Sequence, residues 1–461
     1  MGLDGTIASQ VSELRKTFES GKTRPLAWRR AQLRALEAML TERESELLEA
    51  LRADMRKPRF EAWGAEIRYV ANESKMARDM LDEWAAPEPV ATNFVNQPGK
   101  SRIHKDPLGV VLIIGPWNYP IQLVLAPLIG AIAAGNCAVI KPSEVSVHAS
   151  AALAKWLPKY LDTTAFRIVE GGVPETTALL AEPFDHIFYT GNGTVGRIVM
   201  EAAAKHLTPV TLELGGKSPT IIDEHVDLDV AVRRTLWGKF FNVGQTCTAP
   251  DYVLVHERVE EAFVNACKEK IREFYGDDPS KSDSYARVVN ERHWQRLMDL
   301  LDDTKGDVVT GGTGDRTSCY LAPTLLRNVA PDATVMKAEI FGPILPVLKV
   351  RNMDEAIRFV NARPKPLALY VFTKDGGVAE RVLAETSSGG VCVNEVVSHF
   401  TVPDLPFGGV GASGMGAYHG KMSFDTFSHR KAVLQKSNFG EAPLRYAPYT
   451  ESKEKWLRRL L

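Results

Sequence analysis

PLGVVLIIGPWNYPIQLVLAPLIGAIAAGNCAVI, residues 107–140, contains no Asp, Glu, Lys or Arg. Its length would suffice for a membrane span. However, Gly115-Pro116-Trp117-Asn118-Tyr119-Pro120 breaks the run early, and Gly135-Asn136 closes its second half. That turn chemistry divides it into a buried strand over 110–114, a polar turn, a buried helix over 121–134 and a second buried strand over 138–140. Strands with no polar alternation are covered on both faces, as in a parallel sheet flanked by helices. The stretch therefore predicts a βαβ unit.

The same rhythm extends on both sides. Strands are predicted over 166–169 and 186–189, with helices over 150–160 and 194–205. A second alternating region has strands over 220–222, 252–255, 344–349, 369–372 and 390–393, and helices over 231–240, 259–275 and 353–362. The first eighty or so residues read as helical: Leu33, Leu36 and Leu40 share one face, and Leu47, Leu48, Leu51 and Met55 another. Thr41 with Glu44 fits a capping box for the second of these helices. Residues 82–102 carry Pro87, Pro89, Pro98 and Gly99 with little helical period, and read as a crossing segment or arm. The stretch 403–420 is glycine-rich.

Bulk properties narrow the class. A chain of 461 residues is long enough for two or three domains, and 44% hydrophobic with 25% charged residues describes a globular protein with large cores. The 56 basic and 57 acidic residues leave a net charge of −1, so no bulk charge draws the chain to nucleic acid or acidic membranes. Five scattered cysteines with no CxxC pair argue against a disulfide framework or zinc knuckle and for a reducing, cytoplasmic setting. The N-terminus opens no signal peptide. His399, His419 and His429 are not at ligand spacing, so no metal site is expected.

Several short motifs carry chemistry. Cys247 lies in Gly244-Gln245-Thr246-Cys247, and Glu213 in Glu213-Leu214-Gly215-Gly216-Lys217. A thiol and a carboxylate flanked by glycines can act as nucleophile and base; equally, a free cysteine can be a small buried hydrophobe. Gly191-Asn192-Gly193-Thr194-Val195-Gly196 fits G-x-G-x-x-G, follows a strand and opens a helix, where a phosphate can meet backbone N–H groups. On that pattern Glu213 also sits where a ribose ligand would be sought, so it has two readings. Lys141-Pro142-Ser143-Glu144 ends a buried strand, where ligands collect on parallel sheets; Lys141 and Glu144 are either ribose partners or a solvated turn. Asn118, an amide in an apolar turn, is either an oxyanion donor or a turn asparagine.

Taken in order, Pro116-Trp117-Asn118-Tyr119-Pro120, Lys141…Glu144, Gly191…Gly196, Glu213…Lys217, Gly244…Cys247, Glu339-Ile340-Phe341-Gly342-Pro343 and Pro406-Phe407-Gly408-Gly409 resemble the NAD(P)-dependent aldehyde dehydrogenases over nearly the whole chain. Ala249-Pro250-Asp251-Tyr252 and Ser423-Phe424-Asp425-Thr426-Phe427-Ser428-His429 resemble the class 3 branch, which handles fatty and aromatic aldehydes. Gly193 departs from the Thr or Ser usual there.

The resemblance implies an α/β fold. A doubly wound cofactor-binding domain (1–80 and 106–211) would join a second α/β catalytic domain (212–402). A bridging or oligomerisation arm (81–105 and 403–440) and a tail (441–461) would complete it. It implies oxidation of an aldehyde to the acid with NAD or NADP, through a Cys247 thiohemiacetal and a thioester hydrolysed by water that Glu213 activates. Asn118 and the Cys247 backbone N–H would hold the oxyanion. The turn Gly191, Asn192, Gly193, Thr194, Val195 and Gly196 would bind cofactor phosphate. Trp117, Lys141 and Glu144 would line the adenosine side, with Glu339 on the nicotinamide ribose and Phe341 near the ring. Val397, Phe400 and Tyr418 are candidates for an aldehyde entrance. A homodimer without a transmembrane segment is expected, its arm adding a strand to the partner's sheet. Glu213 argues against acyl transfer to coenzyme A, which needs no such base. The cofactor motifs argue against a simple thiol esterase, and intact Cys247, Glu213 and Asn118 against a non-catalytic relative.

Overall fold

Two parallel-rich sheets, each begun from its centre, organise the computed structural model, which describes residues 3–304, 306–439 and 443–460. In the first, Val110–Ile114 pairs with Cys137–Lys141 on one side and His186–Thr190 on the other. Phe166–Ile168 and Val210–Glu213 extend it outward in parallel, and Gly414–Met415 closes one edge antiparallel. All five residues of each of the three central strands are buried, as their unbroken apolar runs require. Helix Gln122–Ala134 is buried along its whole length, so it needs no polar face. The N-terminal helices Leu26–Glu42, Glu44–Met55 and Tyr69–Asp79 pack onto the same core.

The second sheet runs in the order Asp307–Thr310, Thr324–Arg327, Ile344–Val350, Tyr252–His256, Pro219–Ile222, Ala368–Phe372 and Gly390–Val393, antiparallel only at the first pair, and has its own core. Strand Val210–Glu213 crosses the 211/212 division drawn from sequence and pairs wholly within the first sheet. A third, antiparallel sheet joins Glu88–Val90, Gly99–Pro107 and Ser428–Lys436, so the proline-rich segment and the C-terminal region meet in one arm.

The expected capping box does not form. Arg43, not Thr41, precedes helix Glu44–Met55 and gives no side-chain cap; the Thr41 hydroxyl donates to the Glu37 carbonyl inside the preceding helix. A back-bond within its own helix outcompeted the cap. The tail lies partly outside the described residues; its described part holds helix Glu451–Leu460. No helix among the described residues is long and apolar enough to cross a membrane.

Asn136, fully buried, ties the first unit together: its Oδ1 accepts from Gly109 N at 2.9 Å, and its Nδ2 donates to the Phe427 carbonyl at 2.9 Å and the Ala131 carbonyl at 3.3 Å. Asn136→Ala would orphan buried backbone groups, and a loss of about 2–4 kcal/mol is expected in denaturant unfolding, from the roughly 1–3 kcal/mol that each such group costs.

Candidate active site

The first sheet reverses its strand order between Val110–Ile114 and His186–Thr190. Ligands collect in the crevice outside the carboxyl ends of strands at such a switch point. The turns leaving these two strands are Gly115–Pro120, which carries Asn118, and Gly191–Gly196. Lys141 and Glu213 end the neighbouring strands on the same edge.

From the second sheet comes the thiol. Helix Leu228–Phe240 runs into a 3-10 turn, Phe241–Gly244, where Asn242, Val243 and Gly244 all have positive φ (50°, 57° and 71°). A Cβ at Gly244 would strike the Gly342 carbonyl, so this position admits only glycine. Side-chain amides hold the turn. Gln245 Nε2 donates to the carbonyls of Asn242 (3.2 Å) and Arg287 (3.0 Å), and its Oε1 accepts from Val289 N at 2.9 Å. Asn242 Nδ2 donates to the carbonyls of Asn118 (3.0 Å) and Gln245 (3.2 Å).

The Asn118 side chain, buried, donates from Nδ2 to the Gln245 carbonyl at 3.0 Å, two residues before Cys247. The neighbouring Tyr119 hydroxyl and Thr246 Oγ1 are 2.7 Å apart. Asn118 and Cys247, far apart in sequence, are thus brought together.

Charge in this space is poorly compensated. Glu213 is buried, and neither carboxylate oxygen has a hydrogen-bond partner. Burial alone pushes its carboxyl well above the ordinary 4.5. Glu339, pushed up to about 8 first by burial and then by Asp251, also has an unpartnered Oε1. The Cys247 thiol is raised by burial, then by the charges of Glu339 and Glu213, against backbone N–H groups at Cys247 and Thr248 that lower it. Both carboxylates therefore act on the sulfur. A buried acid with no partner is a marker of chemistry rather than of fold.

The dinucleotide candidates fall into two groups. Asn192 caps helix Gly193–Ala204, its side chain accepting from Val195 N at 3.0 Å. Gly191 N donates to the Glu213 carbonyl at 3.0 Å, and Gly196 packs on Leu214. Lys141 is buried, with its ammonium 2.8 Å from the Pro142 carbonyl and 3.8 Å from Glu144, which is half-exposed; burial lowers the lysine pKa. On the other side, Trp117 packs edge-on to Phe341 with ring centres 5.3 Å apart, and 5.1 Å from His293. No hydrogen bond, ring contact or cation–π contact links Trp117 to Lys141 or Glu144 among the described residues. A helix N-terminus, a glycine turn, a lysine–glutamate pair at a strand end, and the unpartnered Glu339 form a donor and acceptor set that fits a dinucleotide.

Around the thiol lie aromatic residues. The charges of Glu213 and Cys247 both act on Tyr418, whose ring touches Phe188, Phe407 and His419. Phe400 packs on Tyr69 at 5.5 Å, and Tyr69 lines a cavity of about 360 Å³ with Gly64, Arg68, Asn72, Met76 and Thr401. Val397 is buried against the helix that leads to Cys247.

Sequence motifs did not point to Lys57, Glu61, Glu66 or Lys239, and Asp251 lies in the Ala249–Tyr252 stretch without a role read for it. Asp251 takes the Lys217 ammonium at 2.5 Å and Ile340 N at 3.1 Å, and so anchors the segment that carries Glu339. No local signal marks these residues: Lys57 and Asp251 lie outside helices, and a lysine or glutamate on a helix ordinarily reads as solvent-facing. No group of three or more His, Cys, Asp or Glu that could hold a metal occurs among the described residues.

Residues 5–433 match the model of the aldehyde dehydrogenase family. The chain is 53% identical over 454 residues to mouse (Mus musculus) aldehyde dehydrogenase family 3 member A2, covering 98% of this chain and 93% of the relative. It is 52% identical over 431 residues to the mouse dimeric, NADP-preferring aldehyde dehydrogenase, covering 94% and 95%. A solved structure described as the substrate-bound state of Staphylococcus aureus AldH superposes with a TM-score of 0.96 at 44% identity, covering 98% of each chain.

Nothing fills the space beside Gly193 except Arg197, whose Nη1 would lie 3.5 Å from an added Cβ, whereas a Cβ at Gly191 would collide with the Tyr189 hydroxyl. Gly193→Ser is expected to change dinucleotide affinity less than about threefold, and Gly191→Val to weaken it by more than about tenfold, tenfold being roughly 1.4 kcal/mol. Quenching of protein fluorescence on titration with NAD and NADP measures both.

Proposed function

This chain belongs to the aldehyde dehydrogenase family, and we propose that it oxidises a medium- or long-chain aliphatic or an aromatic aldehyde to the carboxylic acid with Cys247 as nucleophile, Asn118 as oxyanion donor and Glu213 as general base. The observation that carries the assignment of roles is the buried, partnerless Glu213 carboxylate whose charge acts on the Cys247 thiol.

Cys247 must release its proton to solvent before attack, because burial and two carboxylates favour the neutral thiol. The sulfur then bonds to the aldehyde carbon as a thiohemiacetal. A primary amide has two N–H donors. The Gln245 carbonyl takes one from Asn118, which leaves the other, with the Cys247 backbone N–H, for the oxyanion. Bound NAD(P)+ supplies the hydride acceptor that carries the adduct to a thioester. Gly191, Asn192, Gly193, Thr194, Val195 and Gly196 would meet its phosphates, and Lys141 and Glu144 its adenosine ribose. Glu339 and Phe341 would serve the nicotinamide end, with Trp117 packed against Phe341. Glu213 takes a proton from water, which hydrolyses the thioester and returns the thiol. Its raised carboxyl pKa makes Glu213 a stronger base towards water than a solvated carboxylate.

Glu144 opposes a 2′-phosphate while Lys141 attracts one, in keeping with use of either NAD or NADP. The relative named dimeric supports a homodimer, with the three-stranded arm as its bridge. The divisions 1–80 with 106–211, 212–402, and 81–105 with 403–440 serve as the domain assignment, with the first boundary carried past Glu213, where its strand ends. Five free thiols support a cytoplasmic setting, and a net charge of −1 supports a small-molecule partner rather than nucleic acid.

Two measurements test the roles. With a C6–C16 aldehyde series and an aromatic aldehyde, reduced-cofactor absorbance should show turnover that Cys247→Ala removes while cofactor binding persists; surviving turnover would sink the thiohemiacetal. Glu213→Gln should lower kcat by about 10²–10⁴-fold, the usual range for loss of a general base, and leave a burst of reduced cofactor before slow hydrolysis.

The Glu213 shift also carries a stability sign. The folded carboxyl lies above its unfolded value of 4.5, so the penalty is absent below that value and grows as pH rises towards the folded pKa. Glu213→Gln should therefore melt higher than the parent at pH 8, with the difference vanishing near pH 4. An equal or lower melting point at pH 8 would contradict a buried, uncompensated carboxyl.

A further inference from the structure

The segment 57–66 enters the active centre from the N-terminal helices, and no step above uses it. Lys57 and Glu66 form an ion pair with both side chains fully enclosed. Two enclosed charges are costly to desolvate, and matched apolar side chains are often as stable. Stability alone therefore accounts poorly for the pair.

Its hydrogen bonds all converge on the turn that carries Asn118. Lys57 Nζ donates to the Asn118 backbone carbonyl at 2.9 Å and lies 4.2 Å from the centre of the Tyr119 ring. Glu66 Oε2 accepts from Ile121 N at 2.9 Å and Gln122 N at 3.4 Å, where the start of helix Gln122–Ala134 favours a carboxylate. One buried pair thus pins the backbone on both sides of Tyr119.

The thiol loop is held at the same point. Asn242 Nδ2 is the second donor to the Asn118 carbonyl, and Asn242 N donates to Glu61 at 2.8 Å. Glu66 lies in a π-helical turn, Trp63–Arg68. Such turns close i to i+5 and recur at functional sites; here the turn carries Glu66 to the Asn118 side, while Glu61, in the α-helical turn Arg59–Ala62 just before it, reaches the thiol loop.

We propose that Lys57, Glu66 and Asn242 are positioning residues, which act through the Asn118 carbonyl to set the Asn118 amide at the place where the oxyanion forms beside Cys247. This rests on the catalytic roles assigned above. Lys57→Met/Glu66→Gln is a neutral replacement of similar volume that keeps an acceptor for Ile121 N and removes the donor to Asn118. A role in oxyanion placement predicts a 10- to 100-fold lower kcat for aldehyde oxidation, with KM within about threefold, since a tenfold rate change is a small shift in transition-state stabilisation. Alkylation of Cys247 by iodoacetamide, which forms no oxyanion, should stay within twofold of the parent.

The decisive arm is the combination with Asn118→Ala. If the pair acts only through Asn118, the triple variant should be no more than about twofold slower than Asn118→Ala alone. Multiplying losses, alkylation that falls with kcat, or an unchanged kcat in the folded double variant would each overturn the proposal. Should the double variant not fold, Lys57→Met alone removes the lysine donor to the Asn118 carbonyl without touching the Cys247 loop, and the same three readings apply. Absence of turnover in the parent protein would sink the functional reading and this inference with it. Parent turnover with multiplicative losses would sink the inference alone.

Discussion

Left-handed backbone at Asn242, Val243 and Gly244 fixes where the reactive sulfur sits. For the two residues with side chains this conformation costs about 1–2 kcal/mol each, and a β-branched valine lies at the unfavourable end. Against it stand the five hydrogen bonds made by the Asn242 and Gln245 side-chain amides, each worth about 0.5–1.5 kcal/mol net. The two sums are of the same order, so the loop persists only while its amides keep their partners. Those partners are the backbone carbonyls of Asn118, Asn242, Gln245 and Arg287 and the amide of Val289. One of the five bonds ends on the Asn118 carbonyl, and the Asn118 amide in turn donates to the Gln245 carbonyl, so the two turns brace each other. Cys247 and its oxyanion donor form as one unit.

The same few residues separate two uses of a buried carboxylate. Asp251 is enclosed but satisfied, with the Lys217 ammonium and the Ile340 N–H as partners, and it holds the segment that bears Glu339. Glu213 is enclosed and unsatisfied. The first kind anchors; the second stores free energy that a proton or a water can release. Lys239, buried without a hydrogen bond and pushed down to about 8 by burial, has its charge answered by Asp251 at 3.8 Å, so that one carboxylate holds two lysines. The unsatisfied Glu213 carboxyl beside Cys247 therefore holds its proton more tightly than a solvated carboxylate does, as burial requires.

The sequence was legible wherever a local pattern decides. Apolar runs without alternation gave the central strands of both sheets, and Gly135-Asn136 gave the end of the buried helix almost to the residue. The thiol loop was legible because glycine is forced at Gly244 by its positive φ and the close approach of the Gly342 carbonyl. Thr41 was misread because its cap and its back-bond to Glu37 look identical until the helix ends are known. The arm was recognised by its prolines, yet its pairing of Gly99–Pro107 with Ser428–Lys436 joins segments over three hundred residues apart, which no local window contains.

Lys57 and Glu66 were illegible for a deeper reason. Neither lies in a motif, and a lysine and a glutamate in a helical region ordinarily read as solvent-facing charge. Only packing shows that both are enclosed and that their bonds end on Asn118 and on the helix behind it. Motifs mark groups that touch the reacting atoms, because close approach restricts which residue can stand there. The groups that hold those atoms in register work at a remove, through backbone carbonyls and amides that any residue possesses. Two sheets supply the nucleophile and the oxyanion donor, but the distance between them is set by a third element, the N-terminal helical segment, whose charges the surrounding core keeps out of water.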